Sequence, residues 1–123
     1  MKVMLLDENV KSADALRYLL KQNTAVSELD YSDKPAVLLQ SYQRSPAELV
    51  FIRLGNTSFN GLKTAKQLLK IDARAKVVFI SHSRNYALYA FEAGAVDYLL
   101  EPLDERKLRE TLNRCFTQLE LSI

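Results

Sequence analysis

Residues 76–108 read KVVFISHSRNYALYAFEAGAVDYLLEPLDERKL, and they hold a strand, a helix, a second strand and the start of a second helix. The run 76–81, KVVFIS, is short and almost wholly apolar, as a strand buried on both faces must be. Residues 86–93 follow as a helix stopped by Gly94. Residues 96–100 form the next strand. Asp104 caps a last helix that carries Leu108, Leu112, Cys115, Phe116 and Leu119 along one stripe. Two strands joined through a helix imply a right-handed crossover and a parallel pair.

Toward the amino terminus the same alternation repeats. Residues 3–6 are an apolar run closed by Asp7 and Glu8, and Ala13, Leu16, Leu19 and Leu20 then recur at helical spacing. Residues 26–29 are a weaker strand candidate. Tyr31-Ser-Asp-Lys-Pro opens a second helix, with Ser32 or Asp33 as its cap and Pro35 in its first turn. Residues 49–54 make the third strand, and Leu62, Ala65, Leu68 and Leu69 mark the third helix. Five strands alternating with five helices predict a (βα)5 chain, a parallel sheet covered on both faces as a three-layer α/β/α sandwich, within one domain spanning 1–123.

Bulk properties narrow the function. The chain has 123 residues, 48% apolar and 26% charged, enough for one core without covalent staples. The formal net charge is only +2 and no run concentrates Lys or Arg, so direct nucleic-acid binding is not expected. A single cysteine rules out an internal disulfide framework, and Cys115 reads as a core residue. The opening MKVMLLDENV is too short an apolar run for a signal peptide or a membrane span, which predicts a cytoplasmic protein.

In an α/β sheet, chemistry gathers where buried strands end. At 48–62, ELVFIRLGNTSFNGL, the third strand ends in Arg53, a permanent cation, before a polar loop.

These motifs resemble the receiver domain of bacterial two-component response regulators over essentially the whole chain. GAVDYLLEP at 94–102 is the most specific match, and the likeness is closest to receivers of LytTR-type and SARP-type regulators. The resemblance implies a flavodoxin-like doubly wound sheet. It also implies a phosphoryl group accepted from a histidine kinase by an aspartate ending the third strand. Two acids after the first strand would hold Mg²⁺, and a hydroxyl after the fourth and a lysine after the fifth would contact the phosphoryl group. Carried over residue by residue, Asp7 and Glu8 match the acid pair and Ser81 the hydroxyl. Tyr98 matches the aromatic that moves on activation, Pro102 the proline after a cis bond, and Gly61 the glycine opening the third helix. Two positions depart. Arg53 occupies the phosphoacceptor place and Glu101 the lysine place, the usual charges exchanged; Asn60 stands where Asp is frequent.

A guanidinium is non-nucleophilic and stays protonated, so position 53 cannot carry an acyl phosphate. The expectation is an atypical receiver, a pseudo-receiver, whose altered pocket comprises Asp7, Glu8, Arg53, Ser81, Glu101 and Pro102. Arg53 is expected to serve as counter-ion to Asp7, Glu8 and Glu101, with no metal, cofactor or catalytic residue. Ser81 is either a pocket hydrogen-bonder or a solvated turn hydroxyl, and Tyr98 either a moving or an immobile rim aromatic. Function then falls to the face of the fourth helix, fifth strand and fifth helix: Arg84, Asn85, Tyr86, Tyr89, Glu92, Asp97, Tyr98, Arg106, Lys107, Glu110 and Arg114. That face suits a homodimer, an output domain or a regulatory protein partner. Two other readings stay open. One is phosphorylation at a non-standard residue, Ser81 or Asp7. The other is a small-ligand sensor with Ser81, His82 and Asn56 at the pocket rim.

Overall fold

Four consecutive residues of the first strand, Val3, Met4, Leu5 and Leu6, are wholly shielded from solvent. Such a run is stable only in a strand covered on both sides. The computed structural model describes the backbone of residues 1–121 and the side chains of residues 1–115. Phe116 and Leu119, expected on the last apolar stripe, lie outside the described side chains. The elements run β1 (Lys2–Leu6), α1 (Val10–Lys21), β2 (Glu28–Ser32), α2 (Pro35–Arg44), β3 (Leu49–Arg53), α3 (Gly61–Ile71), β4 (Val77–Ser81), α4 (Ala87–Glu92), β5 (Asp97–Leu100) and α5 (Glu105–Leu121). All strand pairs are parallel, in the order β2-β1-β3-β4-β5. This is the doubly wound flavodoxin-like arrangement.

The two-residue period of each strand divides the core in two. Met4, Leu6, Val50, Ile52, Val77 and Phe79 face α2, α3 and α4. Val3, Leu5, Leu49, Phe51, Val78 and Ile80 face α1 and α5, where Leu16, Leu108, Leu112 and Cys115 meet them. Burying one such Leu, Ile or Phe contributes about 1.5–3 kcal/mol, so β3 and β4, buried at every position, anchor the sheet. Cys115 is part of that core, and burial pushes its thiol pKa up.

Two expectations require correction. The second strand lies at Glu28–Ser32 and not at 26–29. It is an edge strand, half-solvated, so its sequence lacks the continuous apolar run of β1 beside it. Val26 instead closes a turn, its N–H bound to the Asn23 carbonyl. The second helix has Lys34 at its N-cap with no side-chain cap; Pro35 is in its first turn as expected. Ser32 cannot cap it because Ser32 is still paired with Leu6 in the sheet. Elsewhere caps follow residue chemistry. Asn9 accepts from the Ser12 amide, Asn60 from Lys63, and Asp104 from Arg106.

Gly61 lets α3 start hard against the end of β3. A Cβ there would stand 2.6 Å from the Arg53 carbonyl oxygen and 2.7 Å from Leu54 Cδ2. Among the described residues no helix is long and apolar enough to cross a membrane.

Candidate functional site

The carboxyl ends of β1, β3, β4 and β5 converge on one rim. Asp7, directly after β1, is fully buried although charged. Its Oδ1 accepts the Asn9 N–H at 2.9 Å, and its Oδ2 accepts Arg53 Nε at 3.2 Å and Nη2 at 3.0 Å. Arg53, the last residue of β3 and only 3% exposed, sits beside Ile80 of β4 in the sheet register. Its Nη1 donates to Glu101 Oε1, completing a fork held by two carboxylates. Burial disfavours the Arg53 charge, but the bonds to Glu101 and Asp7 outweigh it and hold the guanidinium pKa above its ordinary value.

The surrounding backbone fixes both partners. Asp7 donates its N–H to the Ser32 carbonyl at 3.1 Å, and its own carbonyl accepts the Tyr31 hydroxyl at 2.8 Å. Arg17 of α1 lies over the Tyr31 ring, 5.3 Å from its centre. Glu101 donates its N–H to the Ser81 carbonyl at 2.8 Å, and its peptide bond to Pro102 is cis. His82 Nε2 stands 3.3 Å from Glu101 Oε1.

Glu8 departs from expectation. It does not reach Arg53; its Oε1 accepts the Ser58 N–H at 2.6 Å and its Oε2 the Ser58 hydroxyl at 2.7 Å. The guanidinium therefore serves two acids and not three. Ser58 offers Glu8 two donors at once, its amide and its hydroxyl, while the guanidinium is held toward Asp7 and Glu101. Those bonds, the hydroxyl first and then the amide, hold the Glu8 carboxyl below its ordinary pKa.

The remaining residues take more structural places. Ser81 is not a solvated turn hydroxyl. It is 1% exposed, and its hydroxyl accepts the Ser83 N–H at 3.1 Å. The Tyr98 ring is half-buried against the α3–α4 side of the core, its hydroxyl donating to the Ser83 carbonyl. Ser81, His82 and Asn56 do not rim one pocket. Asn56 and Tyr86 line a depression of about 390 Å³ along the β3–α3 loop, whereas His82 lines a separate groove of about 500 Å³ beside α1. Tyr86 leans over Gly55, whose φ of +88° and missing Cβ admit the ring; a Cβ would meet Tyr86 Cε2 at 3.1 Å.

On the α4–β5–α5 side, Arg84, Asn85, Tyr89, Glu92, Arg106, Lys107 and Glu110 are exposed. Asp97 is engaged within the domain, accepting the Thr111 hydroxyl at 2.6 Å and Arg114 Nη1 at 2.9 Å. Two residues escaped sequence reasoning here. Leu88 is 68% and Phe91 51% exposed, because the small residues Ala87, Ala90 and Ala93 supply the inward face of α4. That alanine spacing was the available signal. Ser58 had none, since its partner lies 50 residues away.

The sequence profile described as the response regulator receiver domain matches residues 3–113. This chain belongs to the receiver family. It is 32% identical over 114 residues to the sensory transduction protein LytT of Bacillus cereus, an alignment covering 93% of this chain and 46% of that protein. The LytT protein of Bacillus subtilis is 30% identical over the same length, with 93% and 47% covered. The receiver thus spans just under half the length of these curated relatives. Its fold superimposes on the response regulatory domain of protein mrkE from Klebsiella pneumoniae with a TM-score of 0.87 at 23% identity, covering 98% of this chain and 99% of that one. A CheY-like receiver domain protein of Methanospirillum hungatei gives a TM-score of 0.86 at 15% identity, covering 99% and 98%.

Receivers of the ordinary kind hold a divalent cation on the acid pair. This receiver's residues do not fit one. Asp7 Oδ2 already accepts two guanidinium N–H groups, Glu8 is turned to Ser58, and a divalent ion beside Asp7 would face the fixed positive charge of Arg53. Among the described residues no cluster of three or more His, Cys, Asp or Glu side chains is arranged for a metal.

Proposed function

We propose that this receiver is a phosphorylation-independent regulatory module. It would control an output domain or protein partner through its α4–β5–α5 face, most simply as a homodimer in the cytoplasm. The observation that carries this reading is the bidentate Arg53–Asp7 pair closed on its other side by Glu101. A nucleophile is missing from the end of β3. An anion stands where an incoming phosphoryl group needs a cation, and of the acid pair that would hold a metal, Asp7 is already neutralised by a fixed charge and Glu8 is turned to Ser58. The Staphylococcus aureus relative named transcriptional regulatory protein LytR favours transcription as the output. The α4 surface supports contact as the working principle. Leu88, Tyr89 and Phe91 form an exposed apolar strip bordered by residues of both charges, the composition of an interface core with its rim.

Phosphorylation at Ser81 finds no support in its surroundings, since that hydroxyl is buried beneath a turn and bonded to Ser83. Incubation with acetyl phosphate and Mg²⁺ followed by intact-mass measurement tests the proposal. The expected result is an unmodified chain; a stable phosphoryl adduct on any residue would overturn it.

A further inference from the structure

We propose that the open groove between α1 and the β5–α5 loop is a binding site for a small amphipathic anion, an apolar or aromatic body carrying a carboxylate or phosphate. The groove holds about 500 Å³, within the range of roughly 300–1,000 Å³ usual for ligand sites. Ala15 and Leu19 of α1 and Pro102 and Leu103 of the loop give it an apolar lining. Tyr18, 66% exposed, adds an aromatic wall on which a flat ligand can stack.

The polar lining is uneven in charge. It consists of Lys11, Ser12, His82 and Glu101. The single acid among them is compensated by Arg53, and His82 faces that same carboxylate at 3.3 Å. Asp104, next along the chain, turns its Oδ1 to the Arg106 amide and does not line the groove. Asp14 of α1 pairs with Arg17 and does not line it either. Lys11 therefore presents an uncompensated positive charge, and among the described residues neither its amine nor the Tyr18 hydroxyl has a partner. The amino-terminal turn of α1, which carries Lys11 and Ser12, adds the positive end of a helix dipole at the same rim. A cation would be repelled there, and a purely apolar ligand would leave the lysine unanswered.

The site touches His82 and Glu101, so an occupant bears directly on a partner of Arg53. This would give the domain an input that needs no phosphoryl donor. The groove rests on the phosphorylation-independent reading only for that regulatory meaning; binding itself is a separate question.

Amide proton–nitrogen correlation spectra of the purified chain, titrated with phenylacetate, phenyl phosphate and neutral phenylacetamide, provide the test. Saturable shifts are expected at Lys11, Ser12, Ala15, Tyr18, His82 and Leu103 with at least one of the two anions, and preference between them assigns the headgroup. Losing the charge-assisted contact should weaken binding about tenfold, both for phenylacetamide and in Lys11→Glu. Tyr18→Ala should weaken it as well. Both positions are solvent-exposed, so the variants should keep the fold and the spectrum of the core. Shifts centred elsewhere, affinity indifferent to Lys11→Glu, or no saturable shift with either anion would overturn the site. The acetyl phosphate experiment is unaffected by any of these results.

Discussion

Arg53 and Asp7 meet side-on across neighbouring strands, Nε and Nη2 of the guanidinium both donating to one carboxylate oxygen. The two residues lie 46 positions apart in the chain, and Glu101, on the far side of the guanidinium, is 48 positions from Arg53. One side chain therefore links β1, β3 and the β5–α5 loop, and all three side chains of the link are almost wholly shielded from solvent.

Removing it should be costly. Arg53→Ala would leave Asp7, fully buried, and Glu101, 6% exposed at its side chain, without their cation. Breaking a buried pair on one side typically costs about 3–5 kcal/mol. Urea denaturation in the presence of a chelator should show a loss of that size. Arg53→Lys should fall between, keeping the charge but losing the planar fork. A wild-type midpoint in Arg53→Ala would mean that the pair is not holding the rim.

Exchanging the charges back should change the chemistry. Arg53→Asp combined with Glu101→Lys restores a carboxylate at the end of β3 and a cation after β5, and frees Asp7 for a metal. The double variant is expected to gain stability on adding Mg²⁺ and to take up a phosphoryl group from acetyl phosphate, whereas on the proposed reading the unaltered chain should do neither. Arg53→Asp alone crowds three acids together and should be less stable than the double variant without metal.

How much of this was legible beforehand depends on the range of the interaction. β1, β3 and β4 announced themselves because burial on both faces demands an unbroken apolar run, and β5, half-buried at the opposite edge of the sheet, did so through the GAVDYLLEP match. The edge strand β2 did not, because half its residues face water. The charge exchange at Arg53 and Glu101 was visible once the two positions were aligned on a strand end and a proline. The fate of Glu8 was not. Choosing between Arg53 and Ser58 depends on loop geometry that no local pattern encodes. Leu88 and Phe91 were hidden for a different reason: a helix rich in alanine has no need to turn its large residues inward.

The Glu8–Ser58 link should respond to acid. Ser58 lowers the Glu8 pKa below its ordinary value of 4.5. A carboxyl depressed by folding stabilises the native state above the unfolded pKa, and that contribution fades as pH falls through the folded one. The Ser58 amide signal should hold its position at neutral pH and shift only below about 4.5, with a midpoint that rises in Ser58→Ala when followed at Glu8. A Glu8 midpoint above the ordinary value in the unaltered chain would contradict the observed bonds.

The α4 strip provides a check on assembly. Leu88→Glu with Tyr89→Glu places charges on two positions that are 68% and 57% exposed, so folding should be unaffected. If copies of this receiver pair through α4, sedimentation should report a shift from dimer to monomer. Unchanged mass in solution would locate self-association elsewhere or remove it.

An acyl phosphate decays by hydrolysis, and that decay sets how long an ordinary receiver remembers its stimulus. A guanidinium clasped by Asp7 and Glu101 has no such clock. On the reading proposed above, the duration of any response would be governed by the residence time of whatever contacts the domain, and in its absence by the lifetime of the polypeptide itself.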